Sequence, residues 1–338
     1  MIKPVGLDKP ERPVAFFADL ALVLERPRVA VQVRLAHLER QGRTDQESEE
    51  LLRRVRDLEG FVDGRLGVWV RQHPTAKWWT RVKGAGPELM GKVIGLIEAF
   101  GHYYMVRVHT ECAGVGCPAC AGHGWEEMVV DGDRPWIPAF VQRKAVRDDE
   151  GRWWVWVEGI ERLMTPSKLY KYAGVAPESK RRAGHLVDFN TTLRMMLFRL
   201  MTSFMRQTNH YYEHYVMYKE WKRAKLMFEG IRILPTPKAR YCAACDKELI
   251  LKAGKYCPDC GTELSGKNEP PGIIWEGHLD YMARRRAGKL FLAHLWGVWR
   301  SELKLPLRTP YPVEYMAHSQ IVTPWEMCDR AEPEQPTT

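Results

Sequence analysis

Four cysteines constrain this chain more tightly than any other feature: Cys242-x2-Cys245 and, eleven residues further on, Cys257-x2-Cys260. A Cys-x2-Cys turn presents two sulfurs to one side, so two such turns close a four-thiolate cage. Zinc takes such a cage readily, with Zn–S distances of about 2.3 Å. All four places are filled by Cys, which leaves no coordination position for water and predicts a structural site. Gly261, directly after the last Cys, lets the chain fold back while backbone amides point at sulfur. Seven of the eight cysteines fall in two tight groups, and Cys328 stands alone. The start of the chain, Met1 to Pro13, is charged and Pro-containing, with no apolar signal run. Cys-x2-Cys units without such a signal read as metal ligands rather than disulfides, and the expected compartment is the cytoplasm.

Residues 241–265 resemble a zinc ribbon. A second cluster, Cys112-x4-Cys117-x2-Cys120-x2-His123, offers three thiolates and an imidazole. Its fourth ligand is His123 or, alternatively, His109 or His102. The Cys117-to-Gly124 stretch is similar to one Cys/Gly unit of the DnaJ-type zinc modules. No His-x-Glu precedes the Cys pair, so the catalytic zinc of nucleobase deaminases is not expected. The cofactor expectation is therefore Zn²⁺, in one structural site and in a second at Cys112, Cys117, Cys120 and His123.

The remaining pattern predicts a mainly α chain. Residues 14–77 read as a helical hairpin or coiled coil, through which the chain could form a homo-oligomer. Val14–Leu24 is an apolar run closed by Pro27, and Val29–Arg40 comes after it. Gly42 breaks the pattern, Thr44 or Asp45 can cap the next helix, and Leu51, Leu52, Val55, Leu58 and Val62 repeat at helical spacing. Residues 78–101 and 161–234 read as a helix-hairpin-helix core. Residues 102–160 interrupt that core as an inserted zinc and β-hairpin subdomain, with strands at 140–146 and 152–157 around an Asp148–Gly151 turn. Asn190–Glu229 reads as one long helix with Leu193, Leu197, Leu200 and Phe204 on one face. Tyr211, Tyr212, Tyr215 and Tyr218 continue that face as core or, alternatively, as a base-stacking stripe. After the ribbon, 273–328 reads as a C-terminal helical segment carrying Arg284-Arg285-Arg286. No run reaches the roughly 18 apolar residues of a membrane span.

Charge points to a partner. The formal net charge is +9. Lys168–Arg240 holds fifteen Lys/Arg against five Asp/Glu, a local excess that accounts for the whole surplus. Excess basic charge concentrated in this way suits a polyanion. Val82-Lys83-Gly84-Ala85-Gly86-Pro87 has the shape of a helix-hairpin-helix bend. Gly84 and Gly86 allow positive φ, and Pro87 suits the first helical position. The unpaired amides at the start of the next helix are then expected to face outward, where a phosphate can sit. Lys83 and Arg81 add charge there, Lys180, Arg181 and Arg182 form a second patch, and Arg194, with Arg199 and Arg206, is a further candidate contact.

The order of motifs adds a resemblance. The bend, then Lys168-Leu169-Tyr170-Lys171-Tyr172-Ala173-Gly174-Val175-Ala176-Pro177, then Asn190-Thr191-Thr192-Leu193-Arg194 resembles the C-terminal domain of insertion-sequence transposases of the IS-one-ten and IS-eleven-eleven types. The likeness spans about 14–100 and 161–229. It implies a DNA partner and, since that family works with a structured guide RNA, RNA as a second one. Two departures separate this chain from the family. Too few residues precede the first helix for the family's RuvC-like DEDD domain. Where the family has its nucleophilic Ser-Gly pair, this chain reads Arg181-Arg182-Ala183-Gly184. The carboxylates Asp131, Asp133, Asp148 and Asp149 sit in turn-like contexts. The expected function is therefore a transposase-derived, zinc-containing DNA-binding protein without recombinase chemistry of its own. The alternatives are an active recombinase using Ser179 or a separate nuclease subunit, and an RNA- or protein-binding scaffold of a mobile element or phage.

Overall fold

A computed structural model describes residues 6–7, 11–108, 125–127, 146–181, 183–237, 240–249, 255–264, 269–307 and 322–331. The chain is mainly helical, with few and small strands, as its apolar periodicity predicts.

Helices α1 (Pro13–Arg40) and α2 (Gln46–Arg71) form the N-terminal hairpin. The turn between them uses Gly42 at φ +67°, and of the two candidate caps Asp45 serves, accepting from the Ser48 amide at 3.2 Å. Contrary to the sequence reading, Pro27 does not end a helix; it lies inside α1. A proline there forfeits one backbone hydrogen bond and clashes with the preceding turn. Flanking cross-links hold the helix through it: Glu25 to Arg199 at 2.5 Å and Arg28 to Glu59 at 2.6 Å. Beyond Ala21 no residue of α1 is buried, and Val29, Val33, Leu51 and Leu58 are all exposed. Beyond the Glu25–Arg199 link, the far half of the hairpin is thus, among the described residues, an arm covered by its own partner helix. The stretch from Arg26 to Arg40 would project for about 22 Å at 1.5 Å per residue.

The body is built around α4 (Pro87–Glu98), reached from the short α3 (Ala76–Trp79). Met90, Val93, Ile94 and Ile97 are wholly buried. Gly91 and Gly95 make that possible. A Cβ on Gly91 would lie 2.6 Å from Leu66 of α2, and one on Gly95 2.5 Å from Ala18 of α1.

After α4 the chain forms a four-stranded antiparallel sheet in the order β2-β1-β4-β3. Its strands are β1 (His102–Val108), β2 (Trp125–Glu127), β3 (Val146–Arg147) and β4 (Trp153–Val157). The Asp148–Gly151 turn and the strand after it are where they were expected, while 140–145 of the expected first strand lie outside the described residues. The long β1, with its Tyr103, Tyr104 and Val106, was hidden by the neighbouring Cys/Gly cluster. Asp148 anchors the hairpin turn. It accepts from the Glu150 and Arg152 amides and from Trp154 Nε1. Burial opposes its charge, but the Trp154, Arg152 and backbone donors win and hold it at about 2. It is a turn anchor with every oxygen engaged.

Helices α5 (Gly159–Arg162) and α6 (Pro166–Tyr172) return the chain to the body. The expected single helix over Asn190–Glu229 is two, α7 (Thr191–Gln207) and α8 (His210–Phe228). Thr208 turns left-handed at φ 45°. Asn209 then caps α8 by accepting from the Tyr212 amide at 2.9 Å, while its Nδ2 donates to Lys83 O at 2.6 Å. A tertiary bond to the bend therefore fixes the break. Leu193, Leu197, Leu200 and Phe204 are buried as predicted, and so are Tyr211 and Tyr215, which makes that stripe core.

Strand β5 (Arg232–Leu234) pairs in parallel with β8 (Ile273–Trp275). The ribbon, with the hairpin β6 (Arg240–Cys242) and β7 (Lys247–Leu249), is the excursion between them. Helix α9 (Glu276–Glu302) closes the body, burying Phe291, Leu292 and Leu295. Among the described residues no helix is long and apolar enough to cross a membrane.

Candidate metal centre and cationic face

Cys242 ends β6, Cys245 lies in the turn before β7, and Cys257 and Cys260 lie on the facing turn. Their four sulfurs all lie within 4.8 Å of one another. The Cys242–Cys260 pair is 3.5 Å apart and the Cys245–Cys257 pair 3.9 Å. A tetrahedron with 2.3 Å metal–sulfur bonds has edges of about 3.8 Å, so the cage has the size zinc needs. The turns are made for it. The Cys245 amide points at Cys242 Sγ at 3.4 Å, the Cys257 amide donates to Thr262 O, and Gly261 sits at φ +69°. Contact with the Cys260 and Cys242 sulfurs pushes Cys245 up to about 12. Hydrogen bonding to Thr262 pulls Cys260 down to about 6. Such a cage resists carrying four thiolates without a cation among them. The four cysteines can therefore hold a metal ion, and a zinc ion fits them. Cys112, Cys117, Cys120 and His123 lie outside the described residues, as do His109, Asp131 and Asp133. His102 is in β1 with its ring edge-on to Tyr104.

The bend departs from its expected outward face. Asp329 accepts the Lys83 amide at 2.8 Å with one carboxylate oxygen and the His210 amide at 3.0 Å with the other. The amides of Asp329 and Arg330 both donate to Arg81 O. Arg81 Nε is spent on Arg330 O at 3.1 Å, and its guanidinium lies over the Trp325 ring. Gly84 does take φ +83°, but its close approach is internal. A Cβ there would come within 3.1 Å of Phe204 and Ser203, and Ser203 Oγ donates to Gly84 O. Gly86 has φ −69°, so it needs no glycine for conformation; it is the N-cap of α4, and no side chain caps that helix start. The bend is thus an intramolecular joint, with only the Lys83 side chain and the start of α4 turned outward.

The cations of the core gather elsewhere. Arg194 on α7 has no ion-pair partner among the described residues. Burial first, then the charges of Arg285 on α9 and Arg181 on the loop, pull its guanidinium below its ordinary value. Lys289, over the Tyr170 ring at 5.6 Å, is pulled down by burial and by Arg285 and Arg286, with only Glu178 opposing. Like charges thus converge from three chain segments while carboxylates elsewhere neutralise their neighbours: Arg199 is spent on Glu25 and Arg223 on Glu276. Lys180 and Arg181 are exposed beside this face, and Arg182 lies outside the described residues. Arg206 is also exposed, near the end of α7. Arg285, Arg286 and Lys289 were missing from the sequence-derived site, although the Arg284-Arg285-Arg286 run had marked the place. Ser179, the one hydroxyl near the family's nucleophile position, is buried, with no partner for its Oγ among the described residues.

No protein-family model matches the chain, and neither a curated protein nor a solved structure matches it.

Proposed function

We propose that this chain is a zinc-containing nucleic-acid-binding protein, derived from a transposase and without strand-cleaving chemistry of its own. One observation carries the reading: the charges of Arg285 and Arg181 act together on Arg194, those of Arg285 and Arg286 act on Lys289, and none of these five forms an ion pair with a carboxylate among the described residues. Packing like charges together costs free energy, and an anion that binds across them recovers it. A sugar–phosphate backbone supplies anions in a row, so binding is set by phosphates and is largely indifferent to base sequence. DNA is the proposed partner, with structured RNA the second. The bend at Lys83 contributes through its lysine and the uncapped start of α4, since Asp329 already holds its first amide.

Zinc is the proposed ion of the ribbon, and a second zinc is proposed at Cys112, Cys117, Cys120 and His123. A zinc assay on the purified full chain is then expected to give two ions per chain, falling to one in Cys245→Ser and to one in Cys117→Ser.

Binding is tested by anisotropy of a fluorescent oligonucleotide. Affinity should fall steeply between 50 and 200 mM salt, because releasing counterions gains less as the bulk salt rises. Arg194→Glu with Arg285→Glu should lower affinity at least tenfold and flatten the salt slope by about two. Equal affinity of the charge-reversed and wild-type chains at 50 mM salt would rule this face out.

A further inference from the structure

Beside the cationic face, α7 and α9 expose two aromatic rings that the core does not need. Phe198 is 41% and Tyr281 55% exposed. Their centroids are 5.6 Å apart and their planes 27° from parallel, so they form one stacked, solvent-facing platform. Each ring is one helical turn from an unpaired cation, Phe198 four residues after Arg194 and Tyr281 four before Arg285. Residues so spaced have Cβ atoms about 6 Å apart on one helix face. Arg284 fastens the platform. It donates to Asp280 at 2.6 Å and to Thr202 at 3.2 Å, and its guanidinium lies 5.4 Å from the Phe198 centroid. Asp280 neutralises Arg284, which makes it a strut and leaves the phosphate-facing charge to Arg194 and Arg285.

We propose that this platform stacks the unpaired bases of single-stranded nucleic acid while Arg194, Arg285 and Arg181 hold the adjoining phosphates. The inference rests on the nucleic-acid reading above and names the form that is bound. Every base has a π-face, so aromatic side chains beside a cationic track bind single strands with little sequence preference. A duplex keeps its bases stacked on each other and can use only the cations. An apolar protein partner is disfavoured because the rings are rimmed by unpaired guanidinium groups. A second copy of this face would set Arg194 and Arg285 against identical charges.

The test uses the full chain, fluorescein-labelled dT15 and a 15-base-pair duplex, read by anisotropy at 50 to 200 mM salt. The wild type should bind dT15 more tightly than the duplex. Phe198→Ala with Tyr281→Ala should weaken dT15 binding about tenfold or more for each base unstacked, with the salt slope and duplex affinity nearly unchanged. Phe198→Trp with Tyr281→Trp should keep dT15 affinity, which separates stacking from a folding defect. If the double alanine variant binds dT15 within twofold of wild type while Arg194→Glu with Arg285→Glu weakens it, the platform is refuted and the cationic face stands. If the charge reversals also change nothing, both readings fall. Self-association lost in the double alanine variant, with dT15 affinity intact, would make the rings a contact between copies and refute the inference.

Discussion

At the scale of single residues, the same residue type does opposite things a few positions apart. Gly84→Ala should cost about 2 kcal/mol, because it forces a side chain into positive φ and its Cβ would crowd Phe204 and Ser203 at 3.1 Å. Gly86→Ala should cost less, about 0.5 kcal/mol, since φ is −69° and no atom lies within 4 Å of the added carbon, which leaves only the poorer N-cap preference of Ala. Urea unfolding of the two variants separates them. Glu98 is a second case. Burial raises its pKa to about 7, although the Ala15 amide and Arg12 favour its charge. Its neighbour His73, 3.9 Å away, is held down at about 4 by burial, so the two do not form an ion pair near neutrality. A carboxyl with a raised folded-state pKa binds more protons folded than unfolded between pH 4.5 and 7. Its contribution to stability therefore falls as pH rises through that window. Glu98→Gln should remove this falling limb. Its stability relative to wild type should grow from pH 4.5 to pH 7 and level off above, by up to about 3 kcal/mol. A constant difference across the range would mean that the carboxyl ionises freely in the fold.

At the scale of elements, Pro27 is the clearest test of what holds α1 together. Replacing it by Ala restores a backbone donor and removes a clash, so Pro27→Ala should raise stability by about 1 to 3 kcal/mol. It should also slow amide exchange in the arm, whose residues, among those described, are covered by α2. The elements legible in the residues alone were those decided locally. The ribbon is closed by two turns of fixed spacing. The α1–α2 turn is set by Gly42 and Asp45, and the β3–β4 hairpin by its Asp/Gly turn. Those that stayed hidden were decided from a distance. Pro27 reads as a stop because Glu59 and Arg199, which bridge it, are remote in the chain. The α7–α8 break needs Lys83 O to hold Asn209. The cationic face was half legible, in Arg181 and Arg194, because α9 brings Arg285 and Lys289 there only through packing. The bend was legible in shape but not in exposure, because its partner Asp329 lies near the far end of the chain.

At the scale of the whole molecule, the buried side chains fall into separate groups, and that separation decides what a bound metal would support. The helical body has one continuous core running from Val14 through α4 and α7 to Trp299. The ribbon has its own small core of Cys242, Cys257 and Leu264. Among the described residues, what lies between them is a small cluster of Tyr241, Ile273 and Trp275, pinned by Arg232 bonding to Asp246 at 2.6 Å. Among the described residues the ribbon core has too few apolar side chains to offset the entropy of ordering its loops, so an ion held by the four cysteines would supply most of its folding free energy. The body should not notice the loss. A strong chelator, or Cys245→Ser, should therefore abolish amide protection across residues 240–249 and 255–264 while leaving helical circular dichroism and the main thermal transition almost unchanged. Body and ribbon unfolding together on chelation would instead mean that the β5–β8 pairing transmits ribbon order into α8 and α9, making the metal a brace for the cationic face itself.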